Sequence, residues 1–304
     1  MARSSHQCRI CDTPLAEFGT KRSWFDGSTY TYYRCDNCGF ICVLPFPGYG
    51  VYNDDYYAGK GPDPFVDYEA EYRDYRATRR MLEFNDLYRV VGKELGTNLS
   101  SARWLDFGCG AGGLMKFLAD KNREEGVAIE IVGYDIGTYA RRLHDEGMKI
   151  LGGSDLVHYR GYFDVITCVE VVEHVYETQD LFRTLSDLLR PGGLLIVTTG
   201  NMASFAARSA GINYRYMMPE IHISLFTPKA LELLYQRNGL APFAVHYDGV
   251  VRFKVVKSLL NPMLNRMASV AFALSFLVRL IDRIYGVSAM PCARKIKVST
   301  RGPT

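Results

Sequence analysis

The chain lacks any apolar run of the roughly 18 residues that a membrane-spanning helix needs. Its longest candidate, Met267 to Val278, is too short to span. The first residues, MARSSHQCRICD, lack the apolar stretch of a secretory leader, so a cytoplasmic protein is expected. The chain also lacks a surplus of charge. Thirty-six Lys+Arg against 33 Asp+Glu leave +3, and residues 1–48 hold no arginine or lysine stripe, which counts against a dedicated nucleic-acid binder. Internal repeats and low-complexity tracts are missing too, which excludes a repeat array.

What is present is an ordinary globular composition, 48% hydrophobic and 23% charged, enough to bury a sizeable core. The eight cysteines are unevenly placed. Cys8, Cys11, Cys35 and Cys38 form two CxxC pairs, whereas Cys42, Cys109, Cys168 and Cys292 stand alone. Paired CxxC motifs in an intracellular chain read as a metal site and not as a disulfide framework. Four thiolates close a tetrahedral site, so structural zinc is expected, with Cys42 a non-ligand and a redox dithiol as the alternative. A segment this small has little core, and metal binding would supply its folding energy.

Four segments follow from the patterning. Residues 1–48 form the ribbon and end at the breaker-rich LPFPGYG. Residues 49–100 form a helical linker or lid, with apolar positions from Phe65 to Leu95 at roughly helical spacing. Residues 101–250 alternate short apolar runs with helical patterns, the mark of a parallel α/β sheet. Residues 251–304 hold an apolar helix, Leu259–Ile284, and a last strand. Strands are expected at Arg103–Phe107, Ile129–Tyr134, Met148–Leu151, Phe163–Val169, Leu194–Thr199, Phe243–Tyr247 and Arg294–Ser299. Leu181–Leu189 reads as a helix ended by Pro191-Gly192-Gly193, and Thr227-Pro228 as a helix start with Gly239 at its far end.

After the first of these core strands comes a glycine loop with Gly108, Gly110, Gly112 and Gly113, leading into a helix whose free amides and positive dipole end suit a ligand. Alone, the loop is ambiguous. Gly108, Gly110 and Gly113 also satisfy the dinucleotide fingerprint GxGxxG, and Asp135 follows at the spacing that fingerprint requires. Asp106 tilts the balance, because a carboxylate there suits a cationic aminoacyl group and sulfonium better than a pyrophosphate. The segment YFDVITCVEVVEHV then places Asp164 at a strand's start and Glu170, Glu173 and His174 at its carboxyl end, where open α/β sheets bind ligands. Asp155 stands at another strand end and reads as an adenine acceptor, a helix N-cap, or both.

LDFGCGAGG, GYDIG, FDVITCVEVVEHV and LLRPGGLLIVTTGN, in this order, resemble the motifs of class I S-adenosylmethionine-dependent methyltransferases over residues 100–250. The resemblance implies a Rossmann-like seven-stranded sheet with helices on both faces. It implies that Asp106, Gly108 and Gly110 hold the methionine part of S-adenosylmethionine, that Asp135 takes the ribose hydroxyls with Ile136 on the adenine, that Asp155 and Leu156 frame the adenine, and that Glu170 lines the floor near the sulfonium. One departure is Thr199-Gly200-Asn201, where many relatives have Thr-Pro-Asn; this puts the role of Asn201 in doubt.

Within that superfamily, the CxxC pairs, the tyrosines Tyr52 to Tyr57 and the block His222 to Pro228 resemble a subgroup linked to small-molecule, sugar or surface-glycan methylation. Tyr56 and Tyr57 could close over the cofactor as a lid. His174 and His222 are the candidate general bases, since histidine titrates near working pH. Tyr214, Tyr216 and Glu220 stand where acceptor recognition is expected. The acceptor expected is a hydroxyl of a sugar, glycan or lipid-linked intermediate. An RNA methyltransferase whose zinc module holds the nucleic acid and a non-catalytic scaffold are the alternatives. The helix Leu259–Ile284 is read as a core or homodimer contact, or as a peripheral membrane contact.

Overall fold

The computed structural model describes residues 6–64, 66–247 and 288–295. The expected helix Leu259–Ile284 lies outside the described residues. No helix among the described residues is long and apolar enough to cross a membrane.

The ribbon begins with β1 (Leu15–Arg22) and β2 (Thr29–Cys35), an antiparallel hairpin with a bulge near Gly19, followed by the short β3 (Ile41–Val43). The expected helical stretch at 64–95 is two helices, α1 (Tyr68–Asp74) and α2 (Arg80–Leu95). Local capping divides them: the Asp74 side chain accepts from Arg76 N–H, and Thr78 Oγ1 donates to Tyr75 O at 2.7 Å.

The core then runs through β4 (Arg103–Phe107), α3 (Gly113–Glu125), β5 (Glu130–Tyr134), α4 (Thr138–Asp145), β6 (Ile150–Leu151), β7 (Phe163–Val169), α5 (Thr178–Leu188) and β8 (Leu189–Gly200). These five strands are parallel and lie in the order β8-β7-β4-β5-β6. The chain starts in the middle, moves outward through β5 and β6, and returns to the other side of β4 with β7. That reversal opens a crevice at the carboxyl ends of β4 and β7. β8 begins five residues before its expected start. Pro191-Gly192-Gly193 is not a turn outside the strand but an irregularity inside it, where the pairing slips from Phe163↔Leu189 to Val165↔Leu194.

After α6 (Phe205–Ala210) come β9 (Ser224–Leu225), α7 (Pro228–Arg237), β10 (Leu240–Tyr247) and β11 (Ser288–Lys295). The Thr227 side chain caps α7 by accepting from Ala230 N–H at 3.2 Å. β10 and β11 extend the large sheet antiparallel beyond β8. The last strand therefore starts six residues before the expected Arg294, and residues 296–299 lie outside the described residues. Pro291, which speaks against a strand in sequence, is accommodated in β11 opposite Val245.

Alternate residues of each buried strand feed opposite faces. Trp104, Val165, Leu194 and Ile196 pack with Phe84, Leu87 and Val91 of α2 and with Leu114 and Phe117 of α3. Leu105, Ile166, Leu195 and Val197 face α5 and α7 through Phe182, Leu185, Leu231 and Leu234. This second layer also takes in Cys8, Ile10, Cys35 and Phe40. The ribbon is thus not a detached unit with a core of its own. β3 pairs with β9, giving a sheet of order β1-β2-β3-β9. Phe40 and Phe226 pack ring to ring at 5.3 Å, and Thr227 Oγ1 donates to Cys38 O at 2.6 Å. Each fully buried phenylalanine contributes roughly 2 kcal/mol by burial, so this seam is a substantial part of the ribbon's stability.

Candidate active site

The glycine loop is built by its own backbone and by one carboxylate. Gly108 and Cys109 donate to Tyr134 O at 2.7 and 3.1 Å, so the loop hangs from the end of β5. Asp135 accepts from Gly110 N–H at 2.9 Å and from Gly137 N–H at 2.6 Å. Burial raises its pKa, and those backbone amides oppose the rise. Gly108 has φ +81°, and a Cβ there would lie 2.2 Å from Val171 Cγ2, so only glycine fits.

Beneath the loop a cavity of about 380 Å³ opens at the crevice, within the range of small-molecule sites. Asp106, Gly108, Gly110, Asp135, Ile136, Glu170, Tyr57 and His174, all expected from sequence, line it. Asp106 is buried and accepts from Thr167 Oγ1 at 3.0 Å. Burial pushes its pKa up to about 7, against the pull of the Thr167 hydroxyl and of Arg80. Ile136 is 81% exposed, an apolar ledge on the rim.

Other expectations need correction. Asp155 and Leu156 are not among the lining residues. Asp155 is exposed and its carboxylate accepts from Gly152 N–H at 2.8 Å, a backward turn contact, and it makes no side-chain cap bond to the helical turn that follows. His222 is buried behind the cavity wall with its Nδ1 2.7 Å from Tyr216 O, so it faces no acceptor directly. Asp164 lies at the opposite end of the sheet, as its place at the start of the strand implies, paired with Arg103 at 2.8 Å and with Arg190. Asn201 is buried and accepts from Ala203 N–H at 2.9 Å, a turn contact.

The segment before the core brings the expected Tyr56 and Tyr57 to the cavity and adds Tyr68, Glu71 and Arg80, which sequence reading missed. Tyr52, Tyr56, Tyr57 and Tyr68 form one wall as a chain of ring contacts. The Tyr57 ring lies over Gly137, and Tyr68 over Gly110. From α1 and α2, Glu71 and the half-buried Arg80 reach the cavity, with Arg80 Nε 3.6 Å from both Glu71 and Glu83. A charge pair set among helical apolar positions was the available signal.

At the far end stand two carboxylates and two imidazoles. Glu170 follows β7 with φ +52°, a left-handed turn rare for a side-chain-bearing residue. Tyr216 OH donates to Glu170 Oε2 at 2.8 Å and also bonds Glu173, while Thr199 Oγ1 donates to Glu173 Oε2 at 3.0 Å. Burial and each other's charge push Glu170 upward, and burial pushes Glu173 upward. A Cβ on Gly200 would meet Tyr216 Cε1 at 2.4 Å, so the departure from Thr-Pro-Asn makes room for this tyrosine. His174 Nδ1 lies 2.8 Å from Tyr52 OH and 3.1 Å from Ile221 O. Burial lowers its pKa to about 4, so the ring is neutral. Burial also lowers His222, and neighbouring His174 adds to it.

Glu220 lines a second cavity of about 450 Å³ between ribbon and linker, and Tyr214 packs in the cluster around Tyr32 and Met217. In the ribbon, the four sulfurs of Cys8, Cys11, Cys35 and Cys38 lie within 4.8 Å of one another, with Cys8–Cys38 at 3.6 Å and Cys11–Cys35 at 3.4 Å. Cys42 is buried but outside that group, its thiol pushed up to about 11 by burial.

The family described as "Methyltransferase domain" matches residues 72–245, more than half of the chain and including the last three residues of α1 and all of α2. The ubiquinone biosynthesis O-methyltransferase of Pectobacterium carotovorum is 30% identical over 152 residues, 45% of this chain and 61% of that protein. The protein of the same name from Caulobacter sp. is 34% identical over 127 residues, 40% of this chain and 50% of that protein. The chain thus spans about three-fifths or less of the length of these relatives. Among solved structures, a SAM-dependent methyltransferase from Archaeoglobus fulgidus superposes with a TM-score of 0.48 at 18% identity, covering 75% of this chain and 98% of that one. A Haemonchus contortus phosphoethanolamine N-methyltransferase 2 gives 0.47 at 16%, covering 76% and 61%. With the matched residues holding the glycine loop, both ends of the cavity and the helix α2 that helps to wall it, the chain belongs to the methyltransferase domain family.

Proposed function

We propose that this enzyme transfers a methyl group to a hydroxyl oxygen of a small-molecule acceptor, with a sugar, glycan or lipid-linked intermediate as the class. The observation that carries this is the polarity of one cavity. Its glycine-loop end offers Asp106 and Glu71 to a cation, and its other end offers Glu170 and His174 beside space open to an acceptor. The relatives named O-methyltransferases support oxygen as the acceptor atom.

The donor set fits the cofactor. Asp106 and Glu71 suit the ammonium of its amino-acid part, Arg80 suits its carboxylate, Asp135 the ribose hydroxyls and Ile136 the adenine face. When bound, the cofactor supplies a methyl group on a sulfonium. The acceptor oxygen forms the new C–O bond as the C–S bond breaks, and the electron pair stays on sulfur. The lid tyrosines Tyr56 and Tyr57 exclude water from that event. The acceptor's proton leaves toward the Glu170–Glu173–His174 end, where a neutral imidazole lines the cavity. His174 holds the position of base; His222 stands behind it and acts through it.

The four ribbon cysteines hold structural zinc in this reading. Tetrahedral zinc–thiolate bonds place sulfurs about 3.8 Å apart, close to the spacings seen here. The test is a methyl-transfer assay with labelled cofactor against hydroxyl acceptors and their amine counterparts, with zinc counted in the purified protein. Turnover on hydroxyl compounds is expected. Turnover confined to amines would overturn the oxygen assignment.

A further inference from the structure

We infer that Glu173, His174 and His222 form a divalent-cation site at the acceptor end of the cavity. One carboxylate oxygen and one nitrogen from each imidazole all lie within 4.8 Å of one another. Two separate stretches of chain bring them together. Glu173 and His174 sit in a single helical turn after β7, and His222 in the segment leading to β9. Ile223 N–H donates to Glu173 O at 3.0 Å, which stitches the two stretches side by side.

The surroundings of the three groups are those of ligands. The Nδ1 of His174 lies 3.1 Å from Ile221 O, and the Nδ1 of His222 lies 2.7 Å from Tyr216 O. A backbone carbonyl can only accept, so Tyr216 O calls for a proton on the Nδ1 of His222 and leaves its Nε2 lone pair free; for His174 the same tautomer holds when Tyr52 OH, 2.8 Å from Nδ1, donates to Ile221 O at 3.1 Å and accepts from the ring. Metal-bound imidazoles are commonly fixed through the opposite nitrogen in this way. The Glu173 carboxylate is likewise held from outside, by Thr199 Oγ1 at 3.0 Å and by Tyr216 OH. Among the described residues no hydrogen bond joins the three groups to one another. The rings of His174 and His222 stand 4.9 Å apart, and the Tyr216 ring covers His222 at 4.1 Å.

Two imidazoles and one carboxylate suit a first-row divalent metal and leave coordination positions open. Glu173 and His222 are sealed from the cavity, and His174 lines it. Open positions on the His174 side would face the acceptor end of the cavity. A cation here would bind the acceptor oxygen and hold it in line with the methyl group; since coordination takes the His174 lone pair, the proton then passes to Glu170, which lines the same cavity, and not to His174. This contrasts with the ribbon, whose four thiols close their site. The inference rests on the proposed methyl transfer only for what the cation does; the site itself can be counted without turnover.

Cobalt(II) is the probe, incorporated into the full chain by growth in cobalt-supplemented medium. The expected result is one more equivalent of cobalt in the unaltered protein than in Glu173→Gln or His222→Gln. The thiolate-to-cobalt charge-transfer band of the ribbon and the binding of S-adenosylhomocysteine should persist in all three. Tyr216→Phe, which removes only an outer contact, should weaken cobalt binding about tenfold. Equal cobalt content in the unaltered protein and in Glu173→Gln would overturn the site. If His222→Gln fails to fold, Glu173→Gln carries the test, since the amide keeps the side chain's shape. Hydroxyl methylation that proceeds equally well after the second equivalent is stripped would refute the cation's role while leaving the methyl-transfer reading intact.

Discussion

The Thr167 hydroxyl donates a 3.0 Å hydrogen bond to Asp106 Oδ1, joining the two central strands at the floor of the cavity. The same hydroxyl oxygen accepts from Trp104 Nε1 at 3.0 Å, so the indole sets the hydroxyl and the hydroxyl sets the carboxylate. Asp106 is thereby aimed by residues that never meet a ligand. Its pKa, raised by burial to about 7, gives cofactor binding a pH dependence. The folded pKa lies above that of an unfolded aspartate. The stability contributed by the protonated form is therefore full in acid and is lost as pH rises toward 7 in the ligand-free protein. Binding a cationic amino-acid group requires the ionised form, so affinity should climb with pH, roughly tenfold per unit below that value. Calorimetric titration with S-adenosylhomocysteine across a pH series checks this. Asp106→Asn should bind weakly at every pH, with that slope gone.

Gly108→Ala should destabilise the protein by about 2 kcal/mol or more and abolish cofactor binding. The new methyl would meet Val171 at 2.2 Å in a left-handed backbone conformation. Chemical denaturation gives the first quantity and calorimetry the second. A variant that keeps both would mean that the loop is far softer than its hydrogen bonds to Tyr134 and Asp135 imply.

Gly200→Ala tests the space left for Tyr216. Its Cβ would displace the ring by clashing at 2.4 Å and loosen the hydroxyl from Glu170 and Glu173. Turnover should fall at least about tenfold, the equivalent of 1.4 kcal/mol. Cofactor affinity should stay within a few-fold, since Tyr216 does not line the cofactor cavity. Steady-state kinetics beside calorimetry separate the two effects.

Tyr57→Ala should do the reverse. The ring covers Gly137 next to Asp135, so its loss should raise the cofactor dissociation constant about tenfold and leave the folding free energy nearly unchanged. A thermal-shift series with and without S-adenosylhomocysteine reads both at once.

Cys35→Ser should cost several kcal/mol of stability and one equivalent of bound zinc. Its sulfur pairs with Cys11 at 3.4 Å inside the layer that also holds Phe226, Leu231 and Leu234. Zinc content and thermal melting measure this directly.

The parallel strands were readable because each is a short apolar run flanked by turn residues. Phe163–Val169 ran from end to end as expected, and Arg103–Phe107 likewise. That Asp106, Gly108, Gly110 and Asp135 share one cavity was legible for the same reason: Asp106 sits near the end of a strand, and the other three follow strands at short offsets. What escaped depends on distant packing. Arg80 and Glu71 meet the cavity only because α1 and α2 cover β4 and α3. Asp155 had the right sequence position, but the turn after β6 points it back to Gly152. The partnership of Glu173 with His222 spans 49 residues and needed the β3–β9 pairing to be seen. No local pattern in the sequence encodes it.

That pairing of Ile41 and Cys42 with Leu225 and Ser224 also bears on how this protein could be recombined with others. The border between the ribbon and the catalytic unit does not run along the chain at residue 48. It runs through space, between two strands that belong to one sheet and to opposite halves of the gene. A chimera that carries over residues 1–48 alone would bring a sheet missing its fourth strand and leave Phe226 without Phe40. A graft that keeps its shape has to move the segment from His222 to Pro228 as well, and with it the histidine that stands behind the cavity wall.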